Sequence, residues 1–174
     1  MSLFEKRRKP NRLKGYDYSR SKHYYVTVCA QDRGHHFGRV ENGAMNLNGV
    51  GEIVNERWGW LSERYDYVEL DEYVVMPNHL HGILAIRPGD ADRSRPVPTG
   101  KAKTKSLSEL IGAFKTTSSK RIREGGLAFF QWQRSFHDHV IRDDEDLNRV
   151  REYIRENPAR WAFDEENPEN QVKG

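Results

Sequence analysis

Cysteine is nearly absent: Cys29 is the one thiol in 174 residues, so no internal disulfide framework holds this chain. Long apolar runs are absent as well. No stretch approaches the ~20 consecutive apolar residues of a membrane-spanning helix, and the basic amino-terminal segment does not resemble a secretory signal. The chain therefore reads as soluble and cytoplasmic, with no membrane partner. Hydrophobic residues make up 36% and aromatics 11%, enough for one domain with a real core and too little length for two. A large charge of one sign is also lacking, since the net charge is only +3. The signs are unevenly placed, however, and placement is what a polyanionic partner feels.

From Met1 to Lys22 the basic residues Lys6, Arg7, Arg8, Lys9, Arg12, Lys14, Arg20 and Lys22 face only Glu5 and Asp17, which reads as a basic arm over residues 1–22. A second cluster (Arg87, Arg93, Arg95, Lys101, Lys103, Lys105) lies in the Pro- and Gly-containing stretch 87–105, expected to be a mobile loop. A third is Lys115, Lys120, Arg121 and Arg123. The acids collect late, and residues 164–174 read as an acidic tail after a single domain over 23–163. Any one charge run is explained by a solvated face, but three basic clusters together favour phosphate contacts.

Element types alternate along the chain. Tyr24 to Ala30 is β-branched and aromatic, a strand by composition. Gly38 to Asn48 reads as a small hairpin turning at Asn42-Gly43, the dipeptide suited to a type I′ turn. Val50, Ile53, Val54, Trp58 and Leu61 recur at helical spacing over Gly49 to Arg64. Tyr67 to Val75 and Asn78 to Ile86 are two strands joined at Met76-Pro77. Ser106 and Glu109 form a capping box opening a second helix, whose outer side carries Lys115, Lys120 and Arg121. Phe129 to Ile141 reads as a further strand, and Asp143 or Asp144 caps a third helix that ends near Asn157, before Pro158. This order suits an α+β domain with an antiparallel sheet and packed helices.

The most informative residues are His79 and His81, inside Met76-Pro77-Asn78-His79-Leu80-His81-Gly82. Side chains two apart on a strand leave the same face, so both imidazoles stand side by side at a spacing suited to one metal ion. On the third helix Tyr153 and Asn157 are four apart, with Cβ atoms roughly 5 to 6 Å apart on one face, beside the apolar stripe Leu147, Val150, Ile154. The pair His137 and His139 repeats the spacing and leaves a second metal position open, while His35 and His36 point apart and receive no role.

Three phrases in this order, Arg12-Leu13-Lys14-Gly15-Tyr16-Asp17-Tyr18, the histidine phrase, and Tyr153-Ile154-Arg155-Glu156-Asn157-Pro158, resemble the REP-associated tyrosine transposases. These are single-tyrosine members of the HUH endonuclease superfamily, related to transposases of small insertion sequences that move as single strands. The resemblance spans almost the whole chain. It implies a ferredoxin-like antiparallel sheet with the histidines on a central strand, His79 and His81 as ligands of a divalent cation (Mg²⁺ or Mn²⁺), Tyr153 as nucleophile and Asn157 at the third ligand position. It also implies cleavage of single-stranded DNA near a hairpin through a 5′-phosphotyrosine, with the protein acting as monomer or homodimer. Arg12, Lys14, Lys115 and Arg121 are the residues expected to contact hairpin phosphates.

Two rivals remain. A metal-dependent phosphodiester hydrolase also uses His-x-His, but its usual aspartate two residues after the second histidine is Ile83 here. A non-catalytic hairpin-binding regulator fits the basic surfaces equally, although an intact His79, His81 and Tyr153 set argues against it.

Overall fold

The computed structural model describes residues 22–87 and 104–170. The basic arm with Arg12 and Lys14, and most of the 87–105 loop, lie outside the described residues. Strand β1 (Lys22–Cys29) is followed by a hairpin of β2 (Gly38–Glu41) and β3 (Ala44–Leu47), helix α1 (Gly49–Arg64), strands β4 (Val68–Val75) and β5 (His79–Ile86), helix α2 (Leu107–Glu124), strand β6 (His137–Ile141) and helix α3 (Asp144–Glu156). A 3₁₀ turn, Pro158–Phe163, continues from α3.

The main sheet has the order β4-β5-β1-β6, with every pairing antiparallel. With the small β2–β3 sheet set aside, the order strand, helix, two strands, helix, strand gives the ferredoxin-like arrangement. β5 and β1 are central, so their residues are flanked by backbone on both sides and covered on both faces.

Local chemistry explains the elements. Asn42 and Gly43 take φ of 52° and 74°, the left-handed pair that a type I′ turn requires. Asn48 caps α1 by accepting from the backbone of Val50 and Gly51, Ser106 and Glu109 close the capping box of α2, and Asp143 caps α3. Proline at the first position of the 3₁₀ turn stops the α-helical ladder of α3 at Glu156 without unravelling the chain.

Period-2 alternation sorts β1 and β5 onto two faces. Val26, Val28, Leu80 and Leu84 face α1 and α2, where Val54, Trp58, Leu61, Leu110, Ile111, Phe114 and Ile122 complete the larger core. Gly82 belongs to that face: a Cβ there would lie 2.5 Å from Trp58 Cζ2. The other face carries Tyr25, Ile83 and Ile141 under Leu147, Val150 and Ile154 of α3, a much smaller apolar cluster. The helical stripe predicted for α3 is thus buried.

One expectation is corrected. The strand expected over Phe129 to Ile141 is a strand only from His137, since Phe130 and Trp132 reach from an irregular segment into the α1–α2 core. There the Lys115 ammonium satisfies the carbonyls of Gln133, Arg134 and Ser135 in place of a ladder. In the segment read as an acidic tail, Asn167 is buried, Asn78 Nδ2 donates to the Glu166 carbonyl at 2.7 Å, and Pro168–Asn170 forms a short 3₁₀ turn.

Candidate metal and tyrosine site

The Met76-Pro77-Asn78 turn between β4 and β5 delivers His79 as the first residue of β5, and the register pairs His79 with Cys29 and His81 with Thr27 across β1. Both imidazoles are buried on the α3 face, at 0% and 3% exposure. Their Nε2 atoms stand 2.9 Å apart.

The donor order around the rings assigns their tautomers. Asn78 Nδ2 donates to the carbonyls of Arg33 (3.0 Å) and Glu166 (2.7 Å), so its Oδ1 accepts from His79 Nδ1–H at 2.7 Å. Thr27 Oγ1 donates to Tyr25 Oη at 3.2 Å, leaving both oxygens to accept from His81 Nδ1–H at 2.9 and 2.8 Å. With both Nδ1 atoms donating outward, each ring would turn an Nε2 lone pair towards the other across 2.9 Å. A cation satisfies that arrangement, and ligand imidazoles are commonly oriented by such outer hydrogen bonds.

Burial holds both rings neutral. The His79 pKa is far below 6.5 through desolvation and then the adjacent His81, and that of His81 falls to about 3 through desolvation and then His137. Neutral imidazole is the form that binds metal.

Asp164 completes a group of three donors with His79 and His81, all within 4.8 Å of one another. Its Oδ1 accepts from the Glu166 backbone at 2.8 Å, while Oδ2 lies 3.8 Å from His79 Nε2, buried and without a hydrogen-bond partner. Burial, more than the neighbouring Glu166 charge, raises its pKa. Asn157 is 3% exposed, and its Oδ1 is likewise buried without a partner. An orphaned carboxylate oxygen beside two convergent ring nitrogens fits a divalent ion of borderline hardness.

Helix α3 brings Tyr153 to this group. Its ring meets His81 edge-on with centroids 5.5 Å apart and meets Tyr25 at 6.2 Å. The Tyr153 pKa is pushed up to about 12 by desolvation and by the Asp164 charge, while hydrogen bonding from Asn157 and Tyr25 pulls the other way. Trp161 on the 3₁₀ turn covers the site from outside, its ring 6.0 Å from His79 and 5.5 Å from His35.

Of the residues predicted from sequence, His79, His81, Tyr153 and Asn157 come together here. Lys115 and Arg121 do not: both belong to α2, across the sheet. Lys115 is engaged by three carbonyls, and Arg121 pairs with Glu56 at 2.5 Å. His139 bonds Asp146 of α3 at 2.7 Å, and among the described residues the only three-donor group is that of His79, His81 and Asp164. Sequence reasoning missed Asp164, which a charge run disguised as solvated surface. It also missed Asn78, Tyr25 and Thr27, although Asn78 adjoins the histidines and Tyr25 and Thr27 stand two apart on one strand.

No family model matches the chain. An uncharacterized protein of Haemophilus influenzae is 33% identical over 165 residues, 91% of this chain and 92% of its own length. A second protein of the same organism, described as a candidate REP-associated tyrosine transposase, is 26% identical over 151 residues, 84% of this chain and 76% of its own. A solved structure of a REP-associated tyrosine transposase bound to a REP hairpin shares the fold with a TM-score of 0.59, at 20% identity, over 82% of this chain and 70% of that one. The chain is similar in sequence to a REP-associated tyrosine transposase and shares the fold of another. That similarity makes DNA processing the setting in which a buried histidine pair and an adjacent tyrosine are to be read.

Proposed function

We propose that this protein is a metal-dependent single-stranded DNA endonuclease and strand transferase, which cleaves beside a DNA hairpin and holds the 5′ end as a phosphotyrosine on Tyr153. The observation that carries the reading is the convergence of two neutral Nε2 atoms 2.9 Å apart, with Tyr153 packed edge-on against one of the two rings.

His79, His81 and Asp164 would hold the cation, and Asn157 lies against Asp164 and Tyr153 with its Oδ1 buried and unpartnered. When bound, a divalent ion supplies Lewis-acid stabilisation of the phosphate oxygens and favours phenolate over phenol. Mn²⁺ suits two imidazoles and a carboxylate; Mg²⁺ is accommodated where phosphate and water fill the rest of the shell.

The chain's own groups supply the rest. With a pKa near 12, Tyr153 rests as a phenol, which keeps it from reacting before substrate arrives. Asn157 and Tyr25 favour its anion by hydrogen bonding. Attack by Tyr153 Oη on phosphorus forms a phosphotyrosine ester and breaks the bond to O3′, which leaves as a 3′-hydroxyl after taking up a proton. The ester conserves the phosphodiester, so a second 3′-hydroxyl can reverse the step and join a new strand without a nucleotide cofactor. Thr27 and Asn78 lock the imidazole tautomers, so the ligand geometry is set before binding.

A labelled hairpin oligonucleotide from DNA flanking the gene, incubated with protein and Mn²⁺ or Mg²⁺ and run on a denaturing gel, tests this. A protein–DNA adduct is expected that vanishes with chelator and in Tyr153→Phe. Cleavage that survives Tyr153→Phe identifies a hydrolase instead, and binding without cleavage in any metal identifies a regulator.

A further inference from the structure

Helix α3 carries the tyrosine but rests on a narrow footing. Its apolar stripe is Leu147, Val150 and Ile154, set on the small cluster of Tyr25, Ile83 and Ile141. With about 100° between successive residues, Arg151 and Arg155 lie on one flank of that stripe, and Asp146, Tyr153 and Asn157 on the other. Beyond this stripe, with Val74 and Tyr153 packed at its margin, few apolar contacts resist a roll of the helix about its axis, and a roll would lift Tyr153 away from the histidines. Something else must set the roll.

Strand β4 supplies it. The pairing with β5 shifts between Leu70, opposite Leu84, and Tyr73, opposite Gly82, so Asp71 and Glu72 together stand opposite Ile83 alone. This β-bulge displays two successive carboxylates towards α3. Arg151 grips Asp71 with both prongs, Nε to Oδ1 at 2.8 Å and the terminal nitrogen to Oδ2 at 2.6 Å. Arg155 donates twice to Glu72 Oε1, at 3.0 and 2.6 Å. The Arg151 hydrogen bonds are also the largest influence holding the Asp71 carboxyl below its ordinary range. On the opposite flank, Asp146 is bonded by His139 of β6 at 2.7 Å, so both edge strands of the sheet hold this helix.

We propose that Asp71 and Glu72 on the β4 bulge are positioning residues, which fix the roll of α3 through Arg151 and Arg155 and so seat Tyr153 beside the histidine pair. The inference rests on the reading of Tyr153 as nucleophile. None of the four touches the reacting atoms: Arg151 and Arg155 are occupied on the flank away from Tyr153. The planar fork of arginine matters here, because two parallel bonds resist rotation where a single point contact would not.

The test uses the full chain with Asp71→Asn, Arg151→Asp, and the charge swap Asp71→Arg with Arg151→Asp. In single turnover at saturating hairpin DNA, each single variant is expected to slow adduct formation by about 10- to 100-fold, as ångström-scale misplacement does, with hairpin affinity and thermal midpoint nearly unchanged. The swap restores most of the rate. Hydrogen exchange on the metal-free, DNA-free chain is expected to speed up across residues 144–156 in the single variants, to recover in the swap, and to stay unchanged in α1 and α2. An unaltered rate overturns the proposal, as does a rate that falls together with the thermal midpoint and is not recovered by the swap. If the wild type forms no adduct in any metal, the nucleophile reading fails by itself; exchange in α3 then decides the clasp, and unchanged exchange overturns it.

Discussion

Trp58, Phe114 and Ile122 on one face of the sheet, and His79, His81 and Asn157 on the other, are equally hidden from water, yet burial acts on them in opposite ways. On the α1–α2 face, burial removes apolar surface from water and holds the domain together. On the α3 face it strips hydration from imidazoles, a carboxylate and an amide that have too few partners. The two Nε2 atoms stand 2.9 Å apart, and Asn157 Oδ1 and Asp164 Oδ2 are buried without a hydrogen-bond partner. The first face stabilises the fold, and the second spends part of that stability on holding polar groups away from water, as the proposed cation site requires. The same two strands serve both faces, because alternate residues of β1 and β5 point to opposite sides.

Breaking the apolar face gives the largest effect. Trp58→Ala is expected to remove about 3 to 5 kcal/mol of stability, read by urea unfolding, since its indole is fully buried among Phe114, Tyr73 and the sheet. A loss below about 1 kcal/mol would mean that this core is not what holds the domain.

Acid probes the polar face. In the unfolded chain His81 takes up a proton below its ordinary 6.5, but in the folded protein only near 3. Stability of the metal-free protein therefore falls as pH drops through that window, by about 2.5 kcal/mol between pH 7 and 4.5 from this ring alone. His81→Gln, compared with wild type by urea unfolding at both values, should flatten the dependence, and an unchanged slope would show that other groups control it.

Gly82 tests the separation of the faces within one strand. Gly82→Ala drives a methyl into Trp58 and is expected to cost about 1 to 3 kcal/mol, while Mn²⁺ affinity measured by calorimetry changes little, because the neighbouring histidines point the other way. Equal damage to stability and metal affinity would show that the faces are coupled.

The smallest effect sharpens the comparison from the polar side. Asp164→Asn removes a buried carboxylate whose charge is disfavoured where it sits. Metal-free stability at pH 7 is expected to rise by about 1 kcal/mol while Mn²⁺ binding weakens sharply. A fall in stability would make Asp164 a structural residue.

Much of this was legible along the chain. The hairpin at Asn42-Gly43, the caps at Asn48, Ser106 and Asp143, the helical stripes and the histidine strand all follow from rules that act over two to four residues, and the elements lie where those rules put them. The strand expected from Phe129 failed because Phe130 and Trp132 carry strand-like composition into a core reached by an irregular backbone. Composition records that a residue is apolar; which partner buries it depends on the rest of the fold.

The sequence by itself determined that His79 and His81 share a face and that Tyr153 and Asn157 share another, because a pleat repeats every two residues and a helix turn closes near four. Only the tertiary structure decided that those two faces meet. It also decided that Asp164 joins them from beyond a proline turn, that the bulge at Asp71 and Glu72 clasps the tyrosine helix, and that Lys115 serves a loop on the far side. Those contacts join residues tens of positions apart, and at that separation the partner is selected by which surfaces the sheet order and packing bring together.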